Sequence, residues 1–564
     1  MVKFYLTGCL LLMVVALQAQ LNRGGTPWSV TEDISHPVEA DVILTPPDLG
    51  QVAAEDVLHP VPYRFAVNLP VNAGITNPSE KTHPASGLRQ QASGSWTTLS
   101  NGDRIWLFTI RAPGAKAITV YFDRFRIPEG GRLFVYNHDR SMVLGAFSDL
   151  NNNDEELFST ALIRGDQVTL EYDQPATLSD LPALHISEIA YAYRGVNETD
   201  GLTGFGSSGD CEVNVKCAEG DGWQDEQKGV ARVAVKKLSN TYWCSGSLVN
   251  NTRQDQTPYF LTADHCGRGA KPADYSQWIF YFNYLSATCA NPSVEPGFRA
   301  MTGSEKVATA GDVAVGGSDF LLVLLNESIP DTFNVWFNGW NRNDVASPSG
   351  VGIHHPMGDI KKISTYTTPL ISTIWVHPTK LTHWEVTWAA TANGHGVTEG
   401  GSSGSPIFDP DGRIVGTLTG GEASCDSAFL TRPDYYGKFS YSWDMNGSDP
   451  SQRLDYWLDP DNTGVTVLDG IPLNIPEPEL PSSNLLIFPN PTSGIVYLKT
   501  TLIQNLQDIP VTLLDTWGRP VASYMGSDDG SGQISLDVTS LPDGFYFIRL
   551  SAEEAILTGS LVKL

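Results

Sequence analysis

Phe260-Leu-Thr-Ala-Asp-His265-Cys266 reads as an apolar strand that ends on a histidine followed at once by a cysteine. Two later stretches belong with it. Gly317-Ser-Asp319-Phe320-Leu-Leu-Val-Leu-Leu325 sets an aspartate at the mouth of a buried strand, and Glu399-Gly-Gly-Ser-Ser403-Gly-Ser-Pro406 sets a serine in a glycine-rich bend. A serine hydroxyl is a poor nucleophile until a base takes its proton, and histidine titrates near neutrality. A buried carboxylate can fix the histidine's tautomer and stabilise the imidazolium. Glycines beside the serine let backbone N–H groups approach a developing oxyanion. The stretches therefore read as Ser403 the nucleophile, His265 the base and Asp319 the orienting acid, with the N–H groups of Gly401 and Ser403 as the oxyanion hole. Singly, each signal has a bland explanation: an exposed histidine, a turn aspartate, a loop. Their joint order carries the reading. Asp312 is the rival acid, but the apolar run after Asp319 is longer. Asp264 adjoins His265, and neighbours in a strand point to opposite faces.

The remaining cysteines set the compartment. Beyond Cys9 there are six: Cys211, Cys217, Cys244, Cys266, Cys289 and Cys425. An even number in an exported chain predicts three disulfides, with fifteen pairings open. No CxxC pair or Cys/His spacing points to zinc, no metal site is expected, and the chemistry needs no cofactor. Lys3 and the apolar core after it predict a secretory signal over 1–19, with Leu17-Gln-Ala19 a cleavage site that departs from A-x-A at Leu17. Leu6-Thr-Gly-Cys9 has the form of a lipoprotein box, but the apolar segment before Cys9 is too short. Past the N-terminus no apolar run reaches membrane-spanning length.

The 564 residues, 41% hydrophobic and 18% charged, suffice for real cores and three or four domains. A formal charge of -27 repels phosphate backbones and argues against a nucleic-acid partner. Gly (53) and Pro (36) are plentiful and helical periodicities few, which predicts an all-β protein. Residues 20–205 lack cysteine. Their alternating segments Ala117–Phe122 and Arg132–Tyr136, parted by Pro128-Glu-Gly-Gly131, predict an antiparallel β-sandwich. The cysteine-bearing part spans 206–470, with strands expected at 230–235 and 278–284. Residues 471–483 read as a stiff Pro/Glu spacer, and 484–564 as a second, small β-sandwich.

The chain order His, Asp, Ser is that of the chymotrypsin-type triad. Residues 206–470 resemble the bacterial lysyl endopeptidases, a branch of the trypsin/chymotrypsin-like double β-barrel serine proteases. The resemblance is carried by Cys211-x5-Cys217, Cys244-Ser-Gly-Ser-Leu-Val-Asn-Asn-Thr252, Tyr259–Cys266, Gly352-Ile-His-His-Pro-Met-Gly-Asp359, Gly396–Pro406 and Asp434-Tyr-Tyr-Gly437. It implies a chymotrypsin-like double β-barrel, behind a jelly-roll-like pro-region, that hydrolyses protein or peptide substrates. It also implies the disulfides Cys211–Cys425, Cys217–Cys289 and Cys244–Cys266, and a mature N-terminus near Gly206. Ordinary trypsins carry their pocket aspartate shortly before the nucleophile. Here Val397 stands there. The lysyl endopeptidases place an acid after the nucleophile, which corresponds to Asp434, with Thr419 and Gly420 lining the pocket and Glu399 the nearest alternative acid. A carboxylate at the pocket base would pair with a substrate ammonium and favour lysine. Cleavage after both Arg and Lys is the alternative. Some members of the family carry a histidine, stacked on a tryptophan, where this chain has Thr419, so that stack is in doubt. Trp384 and Trp388 read as core, and His354-His355 as structural.

Animal trypsins place an aspartate beside the catalytic serine to capture the newly cut N-terminus. Here the neighbour is Ser402, so a different switch is expected, in which 20–205 assists folding and covers the cleft until it is removed. A permanent binding module is the alternative for that region. Phe488-Pro-Asn-Pro-Thr-Ser-Gly494, Leu541-Pro-Asp-Gly-Phe-Tyr546 and Leu561-Val-Lys-Leu564 resemble a type IX secretion sorting domain of Gram-negative Bacteroidota. That implies passage through the periplasm, export by the type IX machinery, and release or surface attachment. The enzyme is expected to be a monomer. A non-catalytic surface adhesin on a protease fold is the rival reading, and the intact triad speaks against it.

Overall fold

The computed structural model describes residues 22–34, 39–75, 91–92, 94–194, 204–311, 316–376, 379–473, 485–500, 509–514, 520–526, 528, 533–551 and 556–564. The signal segment 1–19, the spacer residues 474–483 and the rival acid Asp312 lie outside the described residues. Met1–Leu473 form one compact unit and Asn474–Leu564 another.

The first part of the larger unit stacks two sheets. One contains Arg104–Arg111, Arg132–Asn137, Val143–Phe147 and Gln167–Gln174. The other contains Tyr63–Ile75, Ala117–Arg126 and Ala183–Ala192. Phe108, Val120, Phe122, Val135 and Leu170 fill the space between them. The alternation over Ala117–Phe122 predicts one wet face, yet all six residues are buried. The cysteine-bearing part supplies the second cover. Tyr121 Oη lies 3.0 Å from Thr241 Oγ1, and Gln277 Nε2 donates to the Phe122 carbonyl at 2.7 Å.

The same sheet continues into the next part. Strand Tyr63–Ile75 pairs antiparallel with Asn240–Leu248, with Val67 opposite Asn240 and Tyr63 opposite Trp243. Phe65 stacks on Trp243 with ring centroids 4.0 Å apart. Trp243, Tyr281, Tyr284 and Phe298 share one apolar core with Phe65 and Phe125. Such burial is worth roughly 1.5–3 kcal/mol per large apolar side chain, so this contact is a strong one.

The cysteine-bearing part is a double β-barrel. The first barrel is built from Val230–Lys237, Asn240–Leu248, Tyr259–Ala263, Ile279–Phe282, Arg299–Thr302, Ser304–Thr309 and Phe320–Leu325. The second is built chiefly from Gly350–His354, Lys362–Tyr366, His383–Val386, Pro406–Phe408, Arg413–Gly421 and Asp434–Lys438. Disulfides join Cys211 to Cys425, Cys217 to Cys289 and Cys244 to Cys266. The expected spacer begins later than its composition indicates. Ile471–Pro472 is a short strand paired with Trp336–Phe337, and Leu473 is buried with it. An apolar partner strand captures these two residues despite the proline.

In the smaller unit, Leu486–Phe488, Ile495–Lys499 and Ile534–Asp537 form one antiparallel sheet. Ile509–Leu514, Pro520–Gly526, Gly544–Ser551 and Ile556–Lys563 form the other. Val496, Val511, Leu513, Ile548 and Leu561 make the core.

Candidate active site

Strand Tyr259–Ala263 ends at a single helical turn, Asp264–Gly267, which carries His265. Asp319 stands just before strand Phe320–Leu325, the antiparallel neighbour of the histidine's strand, with Phe320 opposite Ala263. Asp319 accepts the His265 backbone N–H at 3.0 Å on Oδ1, and its Oδ2 lies 2.7 Å from His265 Nδ1. The pairing needs Asp319 at φ 57°, which aspartate tolerates better than most residues. The carboxylate is 1% exposed. Burial pushes it up, but the His265 ring and its hydrogen bonds outweigh this and hold it below the ordinary value. Asp264 is engaged elsewhere, with Arg268 and Thr309.

Ser403 comes from the second barrel and is docked on the first. The Ser245 N–H donates to the Ser403 carbonyl at 2.8 Å. That carbonyl lies 3.9 Å from Cys266 Sγ, beside His265. Gly404 lets the loop this close: a Cβ there would fall 2.1 Å from Thr262 Oγ1, and its φ is +81°. His265 Nε2 is buried and has no hydrogen-bond partner among the described residues. The histidine–aspartate half of the expected triad is thus bonded, while no bond joins Ser403 Oγ to His265. Such contacts often close only when substrate arrives. Neither the Gly401 nor the Ser403 N–H meets an acceptor among the described residues. The Ser402 side chain faces away, 2.8 Å from His354 Nδ1.

Asp434 opens strand Asp434–Lys438 and is 1% exposed. Its Oδ2 accepts Trp388 Nε1 at 2.7 Å and Thr398 Oγ1 at 2.8 Å, and its Oδ1 accepts the Ala423 N–H at 3.2 Å. Among the described residues no Lys or Arg pairs with it. Burial raises its pKa above the ordinary carboxylate value, against the pull of Trp388 and Thr398. Gly421 packs directly on it, and the space beside Gly420 is open. Val397 is buried and apolar. Glu399, the alternative acid, instead accepts the Gly209 N–H at 2.9 Å. Trp384 is buried, with Nε1 on the Val415 carbonyl.

Sequence reasoning missed His383. Its Nε2 lies 3.0 Å from Thr419 Oγ1, its Nδ1 lies 2.7 Å from Thr382 Oγ1, and its ring faces Trp375 at 5.9 Å. A histidine–tryptophan pair therefore stands beside Thr419. Burial depresses His383 to about 4, so it is neutral at working pH. The signal lay in the sequence only as His383 on an unremarked strand. His354 and His355 are wholly buried, and His355 Nδ1 is 2.9 Å from the Asp359 carbonyl.

Residue 63, from the first part of the chain, reaches this site. The Tyr63 ring packs on Gly400, and the Arg194 guanidinium lies over that ring at 4.4 Å.

Residues 205–437 match the family described as lysyl endopeptidase, C-terminal domain, and residues 486–563 match the secretion system C-terminal sorting domain. Over 365 residues the chain is 29% identical to a lysyl endopeptidase of Pseudomonas aeruginosa, covering 61% of this chain and 75% of that protein. Similar solved structures include the protease Anisep of Arthrobacter nicotinovorans, at 18% identity over 37% of this chain and 90% of that one, with a TM-score of 0.27. A Glu endopeptidase has 16% identity over 42% of this chain and 94% of its own, with a TM-score of 0.24. The chain is an exported serine protease, secreted or attached to the cell surface.

Proposed function

We propose that this protease cleaves peptide bonds on the carboxyl side of lysine through an acyl-enzyme. Ser403 Oγ attacks the carbonyl carbon while His265 Nε2 takes its proton and passes it to the leaving amine. Asp319 keeps the other proton on Nδ1 and stabilises the imidazolium. The oxyanion accepts from the Gly401 and Ser403 N–H groups. Water then repeats the sequence on the ester.

The observation that carries the lysine reading is Asp434, a buried carboxylate that no Lys or Arg among the described residues pairs with. An unpaired buried charge is costly, and a substrate ammonium relieves that cost. Its oxygens already accept Trp388, Thr398 and Ala423. A planar guanidinium needs both oxygens free for its fork, whereas a single ammonium needs one remaining lone pair. Residues 20–205 are read as a pro-region, with Gly206 the mature terminus and 484–564 the tail taken up by the type IX machinery. Strand Tyr63–Ile75 and Tyr63 on Gly400 support a pro-region that covers the loop carrying Ser403. Paired peptide substrates differing only in Lys or Arg before the cut test the specificity. The kcat/KM should favour Lys by at least about 100-fold, a discrimination of ~3 kcal/mol. Equal rates would leave a Lys/Arg protease.

A further inference from the structure

We propose that Asp359 captures the amino terminus created by cleavage before Gly206, and that this ion pair fixes the peptide carrying the Gly401 N–H. The inference rests on the pro-region reading and extends it. In the uncut chain the Gly206 N–H already donates to Asp359 Oδ1 at 2.8 Å. Ser208 Oγ donates to Asp359 Oδ2 at 2.6 Å, and the Gly209 N–H donates to Glu399. Residues 206–209 thus clamp two segments together, the turn ending at Asp359 and the loop containing Ser403.

Hydrolysis of the Phe205–Gly206 bond consumes one water. The new carboxylate stays on Phe205, and the Gly206 amide nitrogen becomes an amine. Free α-amino groups titrate near 7.7–8.0, so it is mostly ammonium at neutral pH. The hydrogen bond becomes a charge-assisted one to a carboxylate that is 3% exposed.

Lys362, the cation already among the acids here, is shared by three of them. Asp359, Glu399 and Glu212 gather around Lys362, whose Nζ is 3.9 Å from Asp359 Oδ2. Both Glu212 carboxylate oxygens are buried with no hydrogen-bond partner among the described residues. His354 Nε2 lies 3.9 Å from Glu212, but burial depresses that ring to about 3, so it brings no charge.

The path to the reaction is short. Asp359 closes the turn Pro356–Gly358, whose Met357 N–H donates to the Gly400 carbonyl at 2.5 Å. The Gly400 C=O and the Gly401 N–H belong to one planar trans peptide and point oppositely. Holding the first therefore aims the second. Asp359 is a positioning residue in this scheme.

The test uses enzyme matured from the full-length chain, its first residue established by N-terminal sequencing. Two variants are compared with it: Asp359→Asn, and an insertion of one alanine ahead of Gly206 that leaves Asp359 intact but moves the terminus. Near-ultraviolet circular dichroism checks that each is folded. With a lysine peptide, both should lose at least about tenfold in kcat, below the 10²–10³ of an outright lost oxyanion donor, with KM held because the Asp434 pocket is untouched. Asp359→Glu should recover part of the loss. An unchanged kcat in the folded insertion variant would overturn the proposal, whatever the fate of Asp359→Asn. An active wild type that begins elsewhere than Gly206 would also overturn it, while leaving cleavage after lysine standing.

Discussion

Asp319 holds His265 twice, through the backbone N–H at 3.0 Å and the ring Nδ1 at 2.7 Å. The double grip fixes both the turn and the ring, leaving Nε2 as the basic nitrogen. Asp319→Asn should therefore lower kcat by about 10⁴-fold with the fold retained, because an amide cannot hold the required tautomer. Steady-state kinetics on a lysine ester checks this.

The same pair has a pH signature. Asp319 is held below its ordinary value, so its contribution to stability is present above the unfolded value near 3.9 and is lost as pH falls through the folded value. Acid unfolding of the wild type should steepen below about pH 4, and Asp319→Asn should flatten that dependence. Thermal melts from pH 6 down to 2 would show it.

Asp434 behaves oppositely. Burial raises its pKa, and lysine binding needs it ionised. KM for a lysine substrate should rise on acidification at a pH above the ordinary carboxylate range. Asp434→Asn should remove that rise and cost about 30–5,000-fold in kcat/KM, the effect of truncating one partner of a buried charge pair.

Phe65 stacked on Trp243 anchors the first part of the chain to the first barrel. Cutting the connection alone should not separate the two parts. A Ser403→Ala precursor clipped by an added protease should elute as one complex, and Phe65→Ala, a loss of about 3–5 kcal/mol, should release it. Gel filtration decides.

A strict lysine protease cannot make its own boundary cut here, since no lysine occurs between Lys116 and Lys216. Purified wild-type precursor should fail to generate a Gly206 terminus, and Ser403→Ala precursor should be converted by a protease of other specificity as readily as the wild type. N-terminal sequencing of both reads the outcome.

The candidate triad could be read locally because His265 and Asp319 adjoin short apolar strands and Ser403 sits in a glycine-rich bend, so pattern and chemistry coincide. The attachment of the first part of the chain could not. Alternation tells which face of Tyr63–Ile75 is apolar but not which strand edge it will join, and Asn240–Leu248 lies far along the chain. The full burial of Ala117–Phe122 exposes the same gap: a residue such as Thr119 reads as surface until a second layer covers it. His383 was hidden for a similar reason. Only the pairing of His383–Val386 with Asp434–Lys438 brings it beside Thr419. Ile471–Pro472 shows composition overridden by a tertiary partner.

The most direct measurement is a digest of a denatured protein by the matured enzyme, with cut sites identified by mass spectrometry and Ser403→Ala matured in parallel. Cuts should fall after lysine alone and be absent with Ser403→Ala. Cuts after arginine as well would contradict the Asp434 pocket, and no cuts by enzyme beginning at Gly206 would contradict the catalytic reading itself.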